Sequence, residues 1–378
     1  MTLATKTVDD TVSRQWASRP RDERHLNLHA MGAMMHHVRN TSCAKVVSSR
    51  SIAFQPDPAD PVKGLQVVGS AGVPFAPTHW ATGQLASLAG APAGYLRSLP
   101  APIAADCLNY GFKFGRDVAD VGLLLQKNGG PGFVKAATGP KYGRVWNADI
   151  VDHLIDNYGD GVTGQFRVPG EFGKRVPITE QNTTLYASDR DMFVFLADEE
   201  NRITLPGRRD GKSGSLARGF YVSNSEVGAG TLTVAMYLFD YVCQNRIIWG
   251  IQDFKKVAIR HSAGAPDRYI EEARPVIEAM SQASAKPIED MLQAAQAARV
   301  ETDLDAFLKA KRFTTAEVTG MKAAFLADEG RPLEDGKATL WDITTAATAY
   351  ARDIGWQNTR VDLESRSGAL LDLVAVPA

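Results

Sequence analysis

Long apolar stretches, paired cysteines and a secretion signal are all missing from this sequence. No run of about 18 apolar residues occurs, so no membrane-spanning helix is expected. The N-terminal stretch MTLATKTVDDTVSRQW contains acidic residues and lacks the apolar segment that a secretory signal requires. Cys43, Cys107 and Cys243 are far apart and form no C-x-x-C pair, so neither a disulfide framework nor a zinc knuckle is predicted. These absences predict a cytoplasmic protein with no membrane partner.

The sequence also lacks an excess of either charge. Its 42 Lys and Arg residues are balanced by 43 Asp and Glu residues, which gives a formal net charge of −1. Such a chain has no overall attraction to nucleic acid or to an anionic membrane, so any site for a polyanion must come from local clustering of basic residues. The apolar fraction of 44% and the charged fraction of 22% are ordinary for globular proteins.

Hydrophobic periodicity predicts an α+β fold, with a central, mostly antiparallel sheet between a helical N-terminal lobe and a helical C-terminal third. We divide the chain into a flexible arm (1–20), the helical N-terminal lobe (21–120), an α+β core (121–300) and a helical C-terminal region (301–378). In the lobe, helices are predicted from Asp22 to Val38, from Thr78 to Gly90 and again from Pro92. The stretch FQPDPADP between them is too rich in proline for a helix or a central strand.

The core alternates apolar and polar residues as strands do. A hairpin is predicted from VGLLLQ and FVKAAT, and further strands from DMFVFLADEENRITL, ARGFYVSNSEVGAGTLTVAMYLFDYV and FKKVAIRH. Asn147 is the expected N-cap of a helix that ends at Gly159. Later in the chain, Pro275 and Pro287 must kink or divide a helix. Capping boxes that start three C-terminal helices are predicted for the pairs Thr302 and Asp305, Thr314 and Glu317, and Thr359 and Asp362.

None of the catalytic motifs that we considered is complete in this sequence. PGRRDGKSGS resembles a phosphate loop, but only three residues separate Gly207 from Gly211 where the motif needs four. There is no G-x-S-x-G nucleophile motif. We therefore expect no enzyme activity, no cofactor and no metal, and we interpret Arg208, Arg209 and Lys212 as a basic hairpin loop.

One acidic helix face keeps a nuclease open as an alternative. Asp149, Asp152, His153 and Asp156 recur at helical spacing, so they project from one side of the helix that follows Asn147. Carboxylates placed in this way could hold a divalent cation for phosphodiester hydrolysis. A solvated helix face gives the same pattern, and the dipole favours acids near a helix N-terminus.

Basic and aromatic residues are interleaved through the middle of the chain, and they are our candidates for binding nucleic acid. In FKKVAIRH, strand alternation places Lys256 and Arg260 on one face, opposite Val257 and Ile259. Exposed cations on a rigid strand could follow a phosphate backbone, with Tyr142 or Trp146 stacking on unpaired bases. The alternative is that these charges are scattered and bind nothing. The full candidate set is Lys255, Lys256, Arg260, Arg246, Arg208, Arg209, Lys212, Lys141, Arg144 and Trp146.

Four segments resemble, in order and spacing, a phage- and plasmid-borne family known as domain of unknown function 932. They are HWATGQLASLAGAPAGYLRSLPAPIAADCLNYG, YVSNSEVGAGTLTVAMYLFDYVCQNRIIWG, AIRHSAGAPDRYIEEAR and TLWDITTAATAYARD, and the resemblance covers about residues 78–372. Pro275 departs from the unbroken helix that we expect after IRH. The resemblance implies a protein of a mobile element in a bacterial host, and it supplies no catalytic residue.

In outline, a strand-rich middle followed by a long helix is also similar to phage single-strand annealing proteins of the RecT and Erf type. Those proteins form rings or filaments and hold DNA along a basic groove. The similarity implies a non-enzymatic, homo-oligomeric protein that binds single-stranded DNA and acts in annealing or recombination, although a fold alone does not fix a function. Two alternatives stay open: a protein-interaction module that inhibits a host factor, and the metal-dependent nuclease.

Overall fold

The computed structural model describes residues 21–115, 119–169, 177–180, 183–205, 214–240, 245–249, 256–300, 302–329 and 337–374. Within these ranges the strands, numbered along the chain, are β1 (Arg24–His25), β2 (Ser42–Ser48), β3 (Ala53–Asp57), β4 (Asp60–Val68), β5 (Pro74–Pro77), β6 (Asp120–Gln126), β7 (Gly132–Thr138), β8 (Phe166–Arg167), β9 (Leu185–Ala187), β10 (Met192–Asp198), β11 (Ile203–Leu205), β12 (Gly214–Asn224), β13 (Leu232–Asp240), β14 (Asn245–Ile248) and β15 (Val257–Ile259).

The helices are numbered in the same way. They are α1 (Leu28–Asn40), α2 (His79–Leu88), α3 (Ala93–Ser98), α4 (Ala101–Phe114), α5 (Asn147–Tyr158), α6 (Ala265–Arg268), α7 (Arg274–Gln282), α8 (Lys286–Ala297), α9 (Leu304–Ala310), α10 (Thr315–Glu329), α11 (Leu340–Arg352) and α12 (Gln357–Gly368). A π-helical turn, Tyr269–Ala273, joins α6 to α7 without a break. None of the described helices is long and apolar enough to cross a membrane.

The larger of two sheets has nine strands and forms the centre of the molecule. Its main order is β1-β9-β10-β12-β13-β14, with β8 beside β10, β11 beside β12 and β15 beside β13. All of these pairings are antiparallel. The α+β prediction with a mostly antiparallel sheet is therefore confirmed, and the predicted strands of the core are all found.

The smaller sheet has the order β2-β6-β7-β5-β4-β3, in which β5 and β7 run parallel and the other neighbours antiparallel. Its strands β2 to β5 lie between residues 42 and 77. The predicted helical lobe (21–120) therefore also contains four strands of a sheet that the sequence did not reveal, and the predicted hairpin β6–β7 completes this sheet. The proline-rich stretch contributes Pro56 to β3, an edge strand, which is where a sheet tolerates a residue without an N–H group.

The two edge strands of the smaller sheet differ in hydrogen bonding and in exposure. At the β3 edge, the Asn109 side chain accepts from the Phe54 N–H at 2.8 Å and donates to the Phe54 carbonyl at 2.8 Å. A helix side chain thus satisfies backbone groups that would otherwise stay unpaired on that edge. Strand β2 forms the opposite edge, and most of its residues are exposed.

Strand alternation divides the large sheet into two apolar faces. One face, which includes Val194, Phe220 and Val234, joins the main core with helices α1, α5, α7, α8 and α11. The other face is aromatic, with Phe195, Tyr221 and Tyr237 among its buried residues. Helices α2 to α4 cover one side of the smaller sheet and form a separate core with it.

Helix boundaries agree with the sequence in most places and differ by one or a few residues in others. Thr78 caps α2 as predicted, and Gly159, with φ 90°, ends α5. The N-cap of α5 is Trp146 rather than Asn147, because the Asn147 side chain accepts instead from Asn224 Nδ2 at 2.8 Å. The helix is broken between α7 and α8, as the prolines predicted, and the π turn lies directly before Pro275.

Of the three predicted capping boxes, one is present as predicted. Thr314 and Glu317 exchange backbone and side-chain bonds. At the first predicted box the N-cap is Asp303. Thr359 lies inside α12, whose N-cap is Trp356. A box that the prediction missed, formed by Thr339 and Asp342, starts α11.

Candidate nucleic-acid interface

Strand β15 presents its basic residues as the alternation predicted. Lys256, Ala258 and Arg260 are exposed, whereas Ile259 and His261 are buried. The strand pairs with β13, where Ile259 lies opposite Leu232, and this pairing fixes the direction of its side chains. In the described part of the chain neither Lys256 nor Arg260 has an ion-pair partner. Both charges are therefore available to a ligand.

A second basic segment packs directly against the end of β15. The Gly143 carbonyl lies 3.0 Å from His261 Nδ1, and the rings of Tyr142 and His261 stack with centroids 5.0 Å apart. The contact is close: a Cβ atom at Gly143 would lie 1.8 Å from the Ser262 carbonyl oxygen. Lys141, which is exposed, is thereby held next to the strand that carries Arg260.

We call the contact of Tyr142 and Gly143 with His261 and Ser262 the junction. Arg144 is held in place beside it. Its Nε donates to the Glu226 carbonyl at 2.8 Å, and its guanidinium carbon lies 5.4 Å from the Tyr142 ring centroid and 5.6 Å from that of Trp146. Burial lowers the pKa of Arg144, and the Glu226 carboxylate acts in the opposite direction. We call Lys141, Arg144, Lys256 and Arg260 the basic surface.

Glu226, the acid next to Arg144, is buried and hydrogen-bonded within the protein. The Glu226 carboxylate accepts from the Asn147 backbone N–H at 2.7 Å, at the start of α5. Burial raises its pKa, against the opposing effects of that hydrogen bond, of the buried Lys135 and of Arg144. Glu226 thus anchors the loop between β12 and β13 to the start of α5.

The two aromatic residues of the junction have internal roles. One face of the Tyr142 ring meets His261, and its hydroxyl donates to the Ser225 carbonyl at 2.8 Å. Trp146 packs on a small apolar cluster that contains Leu124 and Ala136. Neither ring is free to take an unpaired base between flat faces, so the junction offers cations rather than a stacking platform.

Comparison with known proteins gives one finding about family. The sequence profile of the family described as Domain of unknown function (DUF932) matches residues 178–367, which is 190 of the 378 residues. The chain belongs to this family. The comparison with curated proteins returned no match, and the comparison with solved structures returned none either. In the DUF932 chain, Lys256 and Arg260 lie inside the matched region, whereas Lys141 and Arg144 precede it.

Arg246 does not belong to the interface, although the sequence suggested it. Only 2% of its surface is exposed, its Nε donates to Glu364 at 3.1 Å, and its guanidinium lies 4.0 Å from the Phe195 ring centroid. Arg360 donates to the same Glu364 oxygen at 2.6 Å. Strand β14 points this side chain to the aromatic face of the large sheet and not to solvent, because Arg246 pairs with Phe239 on that face.

The remaining candidates fall into two groups. Lys141, Arg144 and Trp146 meet at the junction already described. Arg208, Arg209, Lys212 and Lys255 lie outside the described residues.

Two of the acids on the face of α5 in the DUF932 protein contact side chains of α1. Arg39 forms an ion pair with Asp149, and His36 Nε2 lies 2.9 Å from Asp152 Oδ1. Across the described ranges, no group of three or more His, Cys, Asp or Glu residues is arranged to hold a metal ion.

Sequence reasoning missed two residues of the junction. Arg39 lies with its guanidinium carbon 5.8 Å from the Trp146 ring centroid, and Glu226 connects Arg144 to α5. Both contacts join segments about a hundred residues apart, so no local spacing could reveal them. The residue types gave a partial signal, since a buried-looking acid in a turn requires a partner.

Proposed function

We propose that this DUF932 protein binds single-stranded DNA through the basic surface and does no chemistry on it. The single observation that carries the proposal is the contact of Gly143 and Tyr142 with His261 and Ser262. It brings together two basic segments that are more than a hundred residues apart in the sequence. Cations that converge on a rigid scaffold provide the phosphate contacts from which sequence-independent binding is built.

The proposed mode of binding is electrostatic. Lys256 and Arg260 flank β15 on the same face, and four residues of extended chain separate them by about 13 Å. Arg144 is partly immobilised by Glu226 and the two aromatic rings, so it loses little freedom when it binds a phosphate. Affinity should therefore fall steeply with salt.

We propose further that the protein acts as a homo-oligomer, a ring or filament, in annealing or recombination for a phage or plasmid. A short basic surface on one protomer contacts few nucleotides, and a row of protomers would extend it into a continuous track. The antiparallel strands β12, β13 and β15 followed by α6 and α7 agree with the outline of the annealing proteins, which is support at the level of fold only.

The experiment is a polarisation titration of labelled single- and double-stranded oligonucleotides at two salt concentrations. We expect tighter binding to the single strand and a clear loss of affinity at the higher salt. An absence of binding at low salt would refute the proposal. Negative-stain images of the same samples test the oligomer separately, since a ring or filament is visible even when the DNA affinity is low.

A protein-interaction module is the second candidate, and one observation favours it. On α4, Ile103, Tyr110 and Phe114 lie on one side of the helix and are 50%, 68% and 64% exposed. Exposed apolar side chains in a row are unusual on a monomer and are typical of protein contacts. A pull-down from host lysate after nuclease treatment, repeated with Tyr110→Ser and Phe114→Ser, tests this candidate. The ion-paired acids of α5 give the nuclease alternative no comparable support.

A further inference from the structure

A cleft runs between α5 and the continuous helix formed by α6, the π turn and α7. It has two adjoining halves of about 640 and 650 Å³, a size that suits small molecules. Both halves share His153, Asn157, Ile270 and Arg274 in their walls. The π turn contributes Tyr269 and Ile270, and single π turns inside α-helices are frequent at functional sites.

Three polar atoms in the walls of this cleft are buried and make no hydrogen bond of normal geometry to the described residues. They are Tyr269 Oη, His153 Nε2 and Arg274 Nε. Tyr269 is only 2% exposed, and the rings of His153 and Tyr269 meet edge to face with centroids 6.3 Å apart. The Arg274 side chain acts on the Tyr269 hydroxyl and opposes the rise of its pKa on burial, so these two groups partly satisfy each other. Buried polar atoms are rarely left without a partner, so the group as a whole, and His153 Nε2 above all, needs an explanation.

The hydrogen-bonding character of these atoms can be assigned. Asn157 Nδ2 donates to the His153 carbonyl at 2.8 Å, which fixes the orientation of the amide. The same Nδ2 lies 3.0 Å from His153 Nδ1, so Nδ1 accepts and Nε2 carries the proton. Burial lowers the pKa of His153, with Arg274 acting in the same direction and Asp156 and Glu278 in the opposite one, which favours the neutral ring. The Arg274 guanidinium is a donor at all its nitrogens.

Arg218 lies behind Ser281, a residue of the 640 Å³ half, and is not itself part of the wall. Arg218 is 7% exposed, and its Nη2 donates to Asp198 at 3.2 Å and to the Ser281 carbonyl at 3.3 Å. Its Nε and Nη1 make no hydrogen bond to the described residues. Ser281 itself lines the cleft. The donors in the wall itself are His153 Nε2, Arg274 and the Tyr269 hydroxyl, and a ligand that satisfies them must bring acceptors.

Carboxylates also line the cleft, with Asp149, Asp152 and Asp156 in one half and Glu278 in the other. Asp149 forms an ion pair with Arg39, and Asp152 Oδ1 lies 2.9 Å from His36 Nε2. Asp156 and Glu278 are exposed. These acids repel a DNA backbone, and they also oppose a small anion, so the binding of such an anion depends on the hydrogen-bond donors in the wall.

We propose that this cleft binds a small molecule with a phosphate or carboxylate group, whose oxygens accept hydrogen bonds from His153 Nε2, Tyr269 Oη and Arg274. The three atoms are covered in the unliganded form, so the side chains of Ile270 and Arg274 must turn outward to admit the ligand. Ile270 is 53% exposed and has space to do so. The atoms proposed to hold this ligand do not belong to the basic surface, although Arg144 also lines one half of the cleft.

The test is thermal unfolding of the full chain with inorganic phosphate, with acetate, or with sodium chloride at matched ionic strength. If the proposal is right, phosphate or acetate raises Tm by at least about 2 °C more than chloride does. Phosphate also stabilises folded proteins without a site, so only the part of the phosphate or acetate response that Tyr269→Phe loses identifies a phosphate or a carboxylate ligand. If neither anion exceeds chloride, the proposal is overturned.

Tyr269→Phe provides the decisive variant. It removes a hydroxyl that interacts chiefly with the Arg274 side chain among the described residues, so in chloride its Tm should stay close to that of the wild type, while the response to the anion should fall by at least half. Tyr237→Phe is the matched control, because Tyr237 Oη is also buried without a hydrogen bond of normal geometry to the described residues but lies on the opposite face of the large sheet. Its anion response should be unchanged. An equal response in Tyr269→Phe and in the wild type would also overturn the proposal.

Discussion

The ring of Tyr142 stacks on the ring of His261, with 5.0 Å between their centroids and 22° between their planes. The Tyr142 hydroxyl also donates to the Ser225 carbonyl at 2.8 Å, so one side chain joins three segments of the chain. Two of these segments carry the basic surface, and the third is the loop between β12 and β13. The position of the cations relative to one another therefore depends on this junction.

Replacing both Lys256 and Arg260 by Gln should weaken single-strand binding about tenfold and reduce the slope of log K against log salt by about 1.4, since two phosphate contacts are lost. The free energy of unfolding should change by less than about 0.5 kcal/mol, because both residues are exposed. Polarisation titrations and urea denaturation measure the two quantities. A Lys309→Gln, Lys311→Gln protein removes two exposed charges from the C-terminal region and should bind as the wild type does.

Gly143→Ala should disrupt the junction itself. The new Cβ would lie 1.8 Å from the Ser262 carbonyl oxygen, so the two segments must separate, at a cost of about 2–3 kcal/mol in unfolding free energy. DNA affinity should fall as well, although no charge is lost. Gly139→Ala is the control, because its Cβ would meet nothing within 4 Å. If both variants bind DNA equally well, the junction does not organise the interface.

Arg246→Met should destabilise the fold and leave DNA binding intact. The substitution breaks a buried ion pair with Glu364, which keeps Arg360 as a partner, so we expect a loss of about 3 kcal/mol. Arg260→Met, at an exposed position, should cost less than about 0.5 kcal/mol. Denaturant unfolding compares the two. An Arg246→Met protein that is stable but binds DNA poorly would show that Arg246 belongs to the interface.

Thr339→Ala and Thr359→Ala should differ in sign. Thr339 caps α11 in a reciprocal box with Asp342, and its loss should cost about 1 kcal/mol. Thr359 is exposed inside α12, where Ala is the better helix former, so the second variant should be neutral or slightly more stable. Chemical denaturation of the pair measures the difference. Equal losses in both would restore Thr359 as a cap.

His25 should make the protein less stable in mild acid. Burial lowers its pKa in the folded state from 6.5 to about 4, so between these values the unfolded chain takes up a proton that the folded chain does not. Stability is full above pH 6.5 and declines as the pH falls toward 4, by about 2 kcal/mol at about pH 5. His25→Phe should remove that part of the decline. Urea unfolding at about pH 7.5 and about pH 5 checks it.

Features with a short sequence period were predictable, and those that depend on distant contacts were not. The alternation of β15 follows from side chains that point to opposite faces every second residue, and the exposure of Lys256 and Arg260 confirms it. Thr314 and Glu317 form their capping box for a similarly local reason. The predicted capping box at Thr302 is wrong because Asp303, the next residue, is the N-cap instead.

The errors share a physical cause, which is that tertiary contacts decide between local alternatives. Strand β3 accepts Pro56 because it lies at an edge, a fact that the stretch FQPDPADP does not contain. Arg246 looked like a surface cation, but Glu364, more than a hundred residues later, draws it into the interior. The stacking role considered for Tyr142 fails for the same reason, since His261 already covers one face of its ring.

The large sheet crosses the limits of the family match. Strand β1 comes from residues 24–25 and pairs with β9, and Leu28 and Leu154, both fully buried, fill the same core as Val194. A fragment limited to residues 178–367 would lose those partners and expose a large apolar surface. We therefore expect it to aggregate when it is expressed. The region that the family profile matches is thus shorter than the region that must be expressed to obtain a folded protein.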